Sequence, residues 1–186
     1  MKKKYVVLMF VSLAISVLLF SGCIAGKYKP VTDMGTLIVV FADTKWDGVK
    51  IPAGQQCNKF GGKGKTPELL IKNIPQKTNA LIFEYSDRSH QPMDNGGHGK
   101  IGYRIKPGSS KVKVPSVAGH TFELPEGFFL ITAHQSPGWD KAGAYMPPCS
   151  GGRGNLYYLD VKAVYDAPEG EGSQLLSKGR LTLGRY

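Results

Sequence analysis

The chain has 186 residues, a formal charge of +10 at pH 7 and a hydrophobic fraction of 41%. That apolar content excludes an intrinsically disordered chain and suffices for one domain with a real core. Lys and Arg are scattered and no basic run is long, which argues against nucleic acid as a partner and leaves a basic surface suited to an anionic membrane, polymer or small acidic ligand.

The chain opens with Met1-Lys2-Lys3-Lys4, then an uncharged stretch over 5–20 dominated by Val, Leu, Ile and Phe, then the small residues Ser21 and Gly22. This order predicts a secretory signal peptide over residues 1–22. The apolar run is short for a permanent span, which needs about 20 apolar residues. Leu19-Phe20-Ser21-Gly22-Cys23 resembles a bacterial lipobox. The resemblance implies lipidation of Cys23 and cleavage before it. It also implies a protein of the bacterial cell envelope anchored by several acyl chains, since one chain holds only marginally. Ile24 after the cysteine favours the outer membrane, with the domain facing the periplasm. Residues 23–34 then read as the lipidated cysteine and a short tether, and 35–186 as the domain.

The domain reads as a succession of short strands. Residues 36–42 are a dense β-branched and apolar run, Trp46-Asp47-Gly48 is a turn, and 53–67 is a glycine-rich loop. Strands are predicted at 68–72 and 79–85, around a turn at 73–77, and again at 100–106, 111–114, 121–124 and 128–133. Residues 134–155 are loop. The clearest alternation lies in 156–165, where Tyr157, Leu159, Val161, Ala163 and Tyr165 share one face. Residues 173–177 suggest one or two helical turns, and 180–186 a last strand. The 24 Gly and 12 Pro residues fit many turns. The whole is a mainly β, antiparallel domain with long loops and little helix.

Cys57 and Cys149 are the cysteines left after Cys23, and in an oxidising compartment they predict one disulfide. Neither has a neighbouring His or second Cys in sequence, so spacing points to no metal site. Polar chemistry gathers in three loops. They carry Asp87, His90, Asp94 and His98; His134, Pro137 and Asp140; and Tyr145, Pro147, Pro148, Arg153 and Asn155. An Asp beside a His can hold one imidazole tautomer and raise its pKa, and such a ring can grip a phosphate or carboxylate. Arg153 offers a bidentate fork to the same anion, and the backbone around Gly96-Gly97 a nest. The plainer readings are Asp87 as a turn cap, His98 as a structural histidine and Arg153 as a solvated charge. Tyr145 either lines a pocket or packs beneath the prolines. His90 and His134 read as surface loop residues and His120 as exposed. There is no Gly-x-Ser-x-Gly elbow and no His-x-x-x-His pair, so binding is favoured over catalysis, and no cofactor is predicted.

One resemblance joins these features. Trp46-Asp47-Gly48, Ile51-Pro52, Thr66-Pro67-Glu68-Leu69, Asn73-Ile74-Pro75, Asp87, Gly97-His98 and Tyr145-Met146-Pro147-Pro148 precede a strand at 161–164. In this order they resemble the phosphatidylethanolamine-binding protein family, also called the Raf-kinase-inhibitor family, and its bacterial relatives. The resemblance covers about residues 41–164, and 181–186 resemble the family's close. It implies a central antiparallel sheet beside a smaller one, and a surface pocket for a small anion or phospholipid headgroup. Asp87 and His98 match that pocket's Asp and His, and Pro147-Pro148 its proline pair. Ser89 stands where the family has a second Asp. Asn155 and Leu156 stand in place of a His and an Arg, and Tyr157 keeps the aromatic. Arg153 or Asn155 is left to serve for the missing histidine. The implied function is ligand binding at a membrane. An envelope protein partner, as an interaction or protease-inhibitor module, is the alternative, and a hydrolase a third reading.

Overall fold

The computed structural model describes residues 27–169 and 171–186, so the expected signal peptide and Cys23 lie outside the described residues. Within them no helix is long and apolar enough to cross a membrane. Among the described residues nine strands alternate with loops and two single-turn 3-10 helices: β1 (Lys29–Thr36), β2 (Ile38–Phe41), β3 (Leu69–Lys72), β4 (Ala80–Asp87), β5 (Lys100–Arg104), β6 (Lys111–Val114), β7 (Phe128–Thr132), β8 (Leu156–Tyr165) and β9 (Gln174–Arg185). They form a six-stranded sheet, ordered β1-β9-β8-β4-β5-β7, and a three-stranded sheet, ordered β2-β3-β6. Every pairing is antiparallel except β1 with β9. The fold is therefore mainly β, with a large and a small sheet and little helix.

The period-2 pattern explains the layers. On β8, Tyr157, Leu159, Val161 and Ala163 enter the main core, where they meet Leu81, Phe83 and Tyr85 of β4 and Leu69 and Ile71 of β3. Val164, on the opposite face, joins Ala80 and Ile82 in a second cluster covered by Tyr28, Phe129 and Leu175. Strand β4 lies between β8 and β5, and burial on both faces accounts for its unbroken Ala-Leu-Ile-Phe run.

The sequence reading and the structure part in three places. Residues 29–36 form an edge strand instead of the tether expected over 23–34, with Lys27 paired to Asp166 at 2.6 Å. Their own pattern is weak, and the backbone of β9 supplies the pairing. Residues 121–124 are not a strand: Thr121 Oγ1 accepts the Glu123 amide in a local turn. The helical turn expected at 173–177 is instead the start of β9. Register shifts along β8 leave Leu176 and Leu183 without direct partners, and both are buried. Such bulges turn a strand's side chains and blur its alternation in sequence.

Candidate ligand-binding site

The site is built where β4 ends. Asp87 is the last residue of β4 and sits opposite Tyr157 of β8. The chain leaves through the 88–97 loop and returns to the same strand, the His98 amide donating to the Tyr85 carbonyl (3.0 Å) and the Tyr85 amide to Gly99 (3.1 Å). Gly99 is required there: its φ is +121°, and a side chain would collide with the Ala144 carbonyl. The proline-containing segment crosses next to it, with the Met146 amide donating to the His98 carbonyl at 2.9 Å. The predicted disulfide is present between Cys57 and Cys149, with Cα atoms 5.2 Å apart. These elements enclose an open cleft of about 380 Å³, bounded by Asp87, His98, Met146, Trp139, Arg153 and Asn155 among others.

His98 is 3% exposed. Its Nδ1 lies 2.7 Å from the Met146 carbonyl oxygen, which can only accept, so Nδ1 carries the proton and the neutral ring presents a lone pair at Nε2. Burial pulls the pKa down to about 4, outweighing the Met146 carbonyl and the Asp87 charge, which push it up. This corrects the expectation of a raised His98 pKa; desolvation wins, and the ring is neutral at pH 7. Tyr157 stands edge-on to it, ring centroids 5.3 Å apart. The Tyr157 hydroxyl accepts the Cys149 amide at 3.1 Å, and burial pushes its pKa up.

Asp87 is held rather than free. Its Oδ1 accepts the Ser89 amide (2.8 Å) and its Oδ2 accepts Asn155 Nδ2 (2.6 Å). The turn-capping role and a place on the cleft are thus both true of it. Arg153 is exposed on a loop whose Gly151, Gly152 and Gly154 all have positive φ. It has no ion-pair partner among the described residues.

Of the predicted site residues, Asp87, His98, Arg153 and Asn155 come together on the cleft. Tyr145 and Pro147 lie elsewhere. The Tyr145 ring is buried in the main core against Tyr85, centroids 4.7 Å apart. Pro147 packs onto Gly64 and Gly119, where a Cβ would strike its ring. His134 and His120, expected at the surface, are each 4% exposed; both rings are held by the Lys141 carbonyl. The reading missed Met93, Met146 and Trp139, which give the cleft an apolar wall. Large apolar residues stranded in polar loops were the available signal. Among the described residues no serine hydroxyl hydrogen-bonds a histidine ring nitrogen. The arrangement offers a cationic fork, a ring acceptor and an apolar wall, which together suit a small ligand with one charged end.

No family model and no curated protein matches the chain. Among solved structures it is similar to the crystal structure of a phosphatidylethanolamine-binding protein homolog from Chlamydia trachomatis. The TM-score is 0.53 at 18% identity, over 82% of this chain and 97% of that one. At that identity the likeness shows the fold alone, and the fold is of the phosphatidylethanolamine-binding protein type.

Proposed function

We propose that the chain is a tethered extracytoplasmic binding protein of the bacterial envelope, and that its cleft takes a small anionic ligand such as a phosphate, a carboxylate or a phospholipid headgroup. One observation carries the reading. The guanidinium of Arg153, without an ion-pair partner among the described residues, borders the cleft beside His98, while the cleft's carboxylate, Asp87, is engaged by Ser89 and Asn155. A charge-assisted hydrogen bond contributes about 1.5–3 kcal/mol, so one well-placed Arg accounts for roughly a 10–100-fold difference in affinity. Lipidation of Cys23 places the domain beside membrane headgroups, and the sequence features of the leader support that location.

The test is titration of inorganic phosphate and of phosphoethanolamine, followed by NMR. Chemical-shift changes centred on His98, lost or weakened at least about tenfold in Arg153→Ala, are expected. Absence of any shift at His98 at millimolar ligand overturns the reading. A response to phosphoethanolamine without one to phosphate identifies the headgroup as the source of the anion.

A further inference from the structure

Behind the cleft wall, four loops bring together side chains that no local motif connects. The disulfide of Cys57 and Cys149 is buried in a small cluster with Met93, Met146 and Phe60. Asp140 reaches it from nine residues before Cys149 in the same β7–β8 connection, and the sulfurs of both cysteines and a carboxylate oxygen of Asp140 lie within 4.8 Å of one another. Cys149 Sγ is 3.9 Å from Asp140 Oδ2. On the far side of that carboxylate stands His120, whose Nε2 is 3.4 Å from the same Oδ2. Donor atoms in a tetrahedral zinc shell are separated by about 3.3–3.8 Å, as bond lengths of about 2.0–2.3 Å require. Two of these separations already approach that spacing, while His120 Nε2 lies more than 4.8 Å from at least one of the sulfurs and must close on them when the cation binds.

The ring of His120 is prepared for such a role. Its Nδ1 lies 2.8 Å from the Lys141 carbonyl oxygen, which fixes the proton on Nδ1 and leaves Nε2 as the acceptor; that lone pair takes a 3.3 Å hydrogen bond from the Asn58 amide, which a cation would displace. A backbone carbonyl on the second ring nitrogen is the usual support of a metal-binding histidine. The backbone of His120 is in the left-handed region, φ +59°, a conformation that non-glycine residues adopt at a cost and that marks sites where surrounding structure dictates the position. His134 sits behind it, ring centroids 6.3 Å apart, and bonds the same Lys141 carbonyl.

We propose that this cluster is a redox-gated site for a thiophilic divalent cation of the zinc class, closed while the disulfide is intact and opened by its reduction. A dithiol donor supplies two electrons and two protons. The Cys57–Cys149 bond breaks, two protein thiols form, and the donor leaves as its own disulfide. The cation then displaces both thiol protons to solvent and is held by Cys57 Sγ, Cys149 Sγ, one oxygen of Asp140 and His120 Nε2, a set that suits zinc over calcium or magnesium. Asp140 has capacity for it, since the Lys59 amide occupies only one lone pair of Oδ2 (3.0 Å). In the disulfide form the sulfurs are not thiolates and the shell lacks two ligands.

The experiment uses the whole protein with cobalt(II) as the spectroscopic stand-in for zinc, added under anaerobic conditions before and after treatment with a dithiol that is then removed. The reduced protein is expected to bind one cobalt ion, with thiolate-to-metal charge-transfer absorption and the intense visible bands of tetrahedral geometry; zinc should bleach them. The oxidised protein is expected to show neither. His120→Gln and Asp140→Asn should each weaken binding at least about tenfold, measured against a competing chelator. The melting curve of each oxidised variant shows whether its fold survives, and either variant alone decides the matter. Absence of tetrahedral bands after reduction, equal binding by the oxidised protein, or bands unchanged in the folded variants would each overturn the proposal.

Discussion

Replacing His98 with Asn should flatten the acid limb of the domain's stability profile. In the folded chain burial holds the His98 pKa at about 4, against an ordinary value of 6.5 that the unfolded chain recovers. Above pH 6.5 the ring is neutral in both states and contributes nothing to pH dependence. Between 6.5 and 4 the unfolded chain takes up a proton that the folded chain refuses, so stability falls as pH falls, with a slope approaching about 1.4 kcal/mol per pH unit. Summed over that interval the loss is about 3 kcal/mol, a large share of the roughly 5–15 kcal/mol that holds a typical domain. The amide nitrogen of Asn stands close to where His98 Nδ1 donates to Met146, so the variant keeps that hydrogen bond and removes the titration. Its truncation cost is independent of pH. Urea unfolding of both proteins in phosphate-free buffer, from about pH 7 to about pH 4, isolates the effect because all other titrations cancel in the difference. The wild type should lose about 3 kcal/mol more than the variant over this range. Parallel profiles would refute the assignment of a buried neutral imidazole.

Three further outcomes follow from the same geometry. Cys57→Ser together with Cys149→Ser opens a loop of sequence separation 92 and should lower stability by up to about 4–5 kcal/mol on the chain-entropy model, read from denaturant midpoints. Gly99→Ala places a Cβ against the Ala144 carbonyl at a positive φ and should cost about 2 kcal/mol or more, with amide exchange rising first in residues 96–99 and 143–147. Asn155→Ala leaves Asp87 Oδ2 without its donor, so an unpaired carboxylate faces the cleft and phosphate affinity should fall several-fold by calorimetric titration.

What the sequence disclosed depended on how local the cause was. Strand β8 was legible to the residue because one face, Tyr157 to Ala163, is uniformly apolar and enters the main core, while Asp160 and Lys162 interrupt the other. Strand β1 was not, because Lys29, Pro30 and Asp33 carry no such pattern and the strand exists only by pairing with β9. The start of β9 was misread because the register shifts put both Leu175 and Leu176 under cover, on different terms. In the cleft, Asp87 and His98 announced themselves as polar residues in a glycine-flanked loop. Trp139 and Met146 did not, since an apolar residue in a loop reads equally as packing. Tyr145 was left between pocket and core, and the ring of Tyr85 settles it in the core. His120 and His134 read as exposed because both lie in loops with no alternation to assign them a buried face. The Lys141 carbonyl holds both rings, from another loop for His120 and from seven residues along its own loop for His134, and the Asn58 amide adds a bond to His120.

The proline segment ties the pieces of the cleft into one unit. Met146 both donates to and accepts from His98, Cys149 donates to Tyr157, Trp139 Nε1 donates to the Cys149 carbonyl, and the Pro148 carbonyl accepts the Cys57 amide. Because Met146 fixes the proton on Nδ1, the ligand meets the lone pair of Nε2. A fully ionised carboxylate therefore bonds His98 only if the ring takes up a proton, whereas a phosphate monoester such as phosphoethanolamine, which keeps one proton below a second pKa of about 6, can donate directly. Below that pKa the phosphate binds without net proton exchange and its affinity is flat with pH, whereas the carboxylate draws a proton from solution and binds more tightly as pH falls. Net proton uptake on binding thus separates the two chemistries at one residue, and it does so through a tautomer that a backbone carbonyl has already chosen.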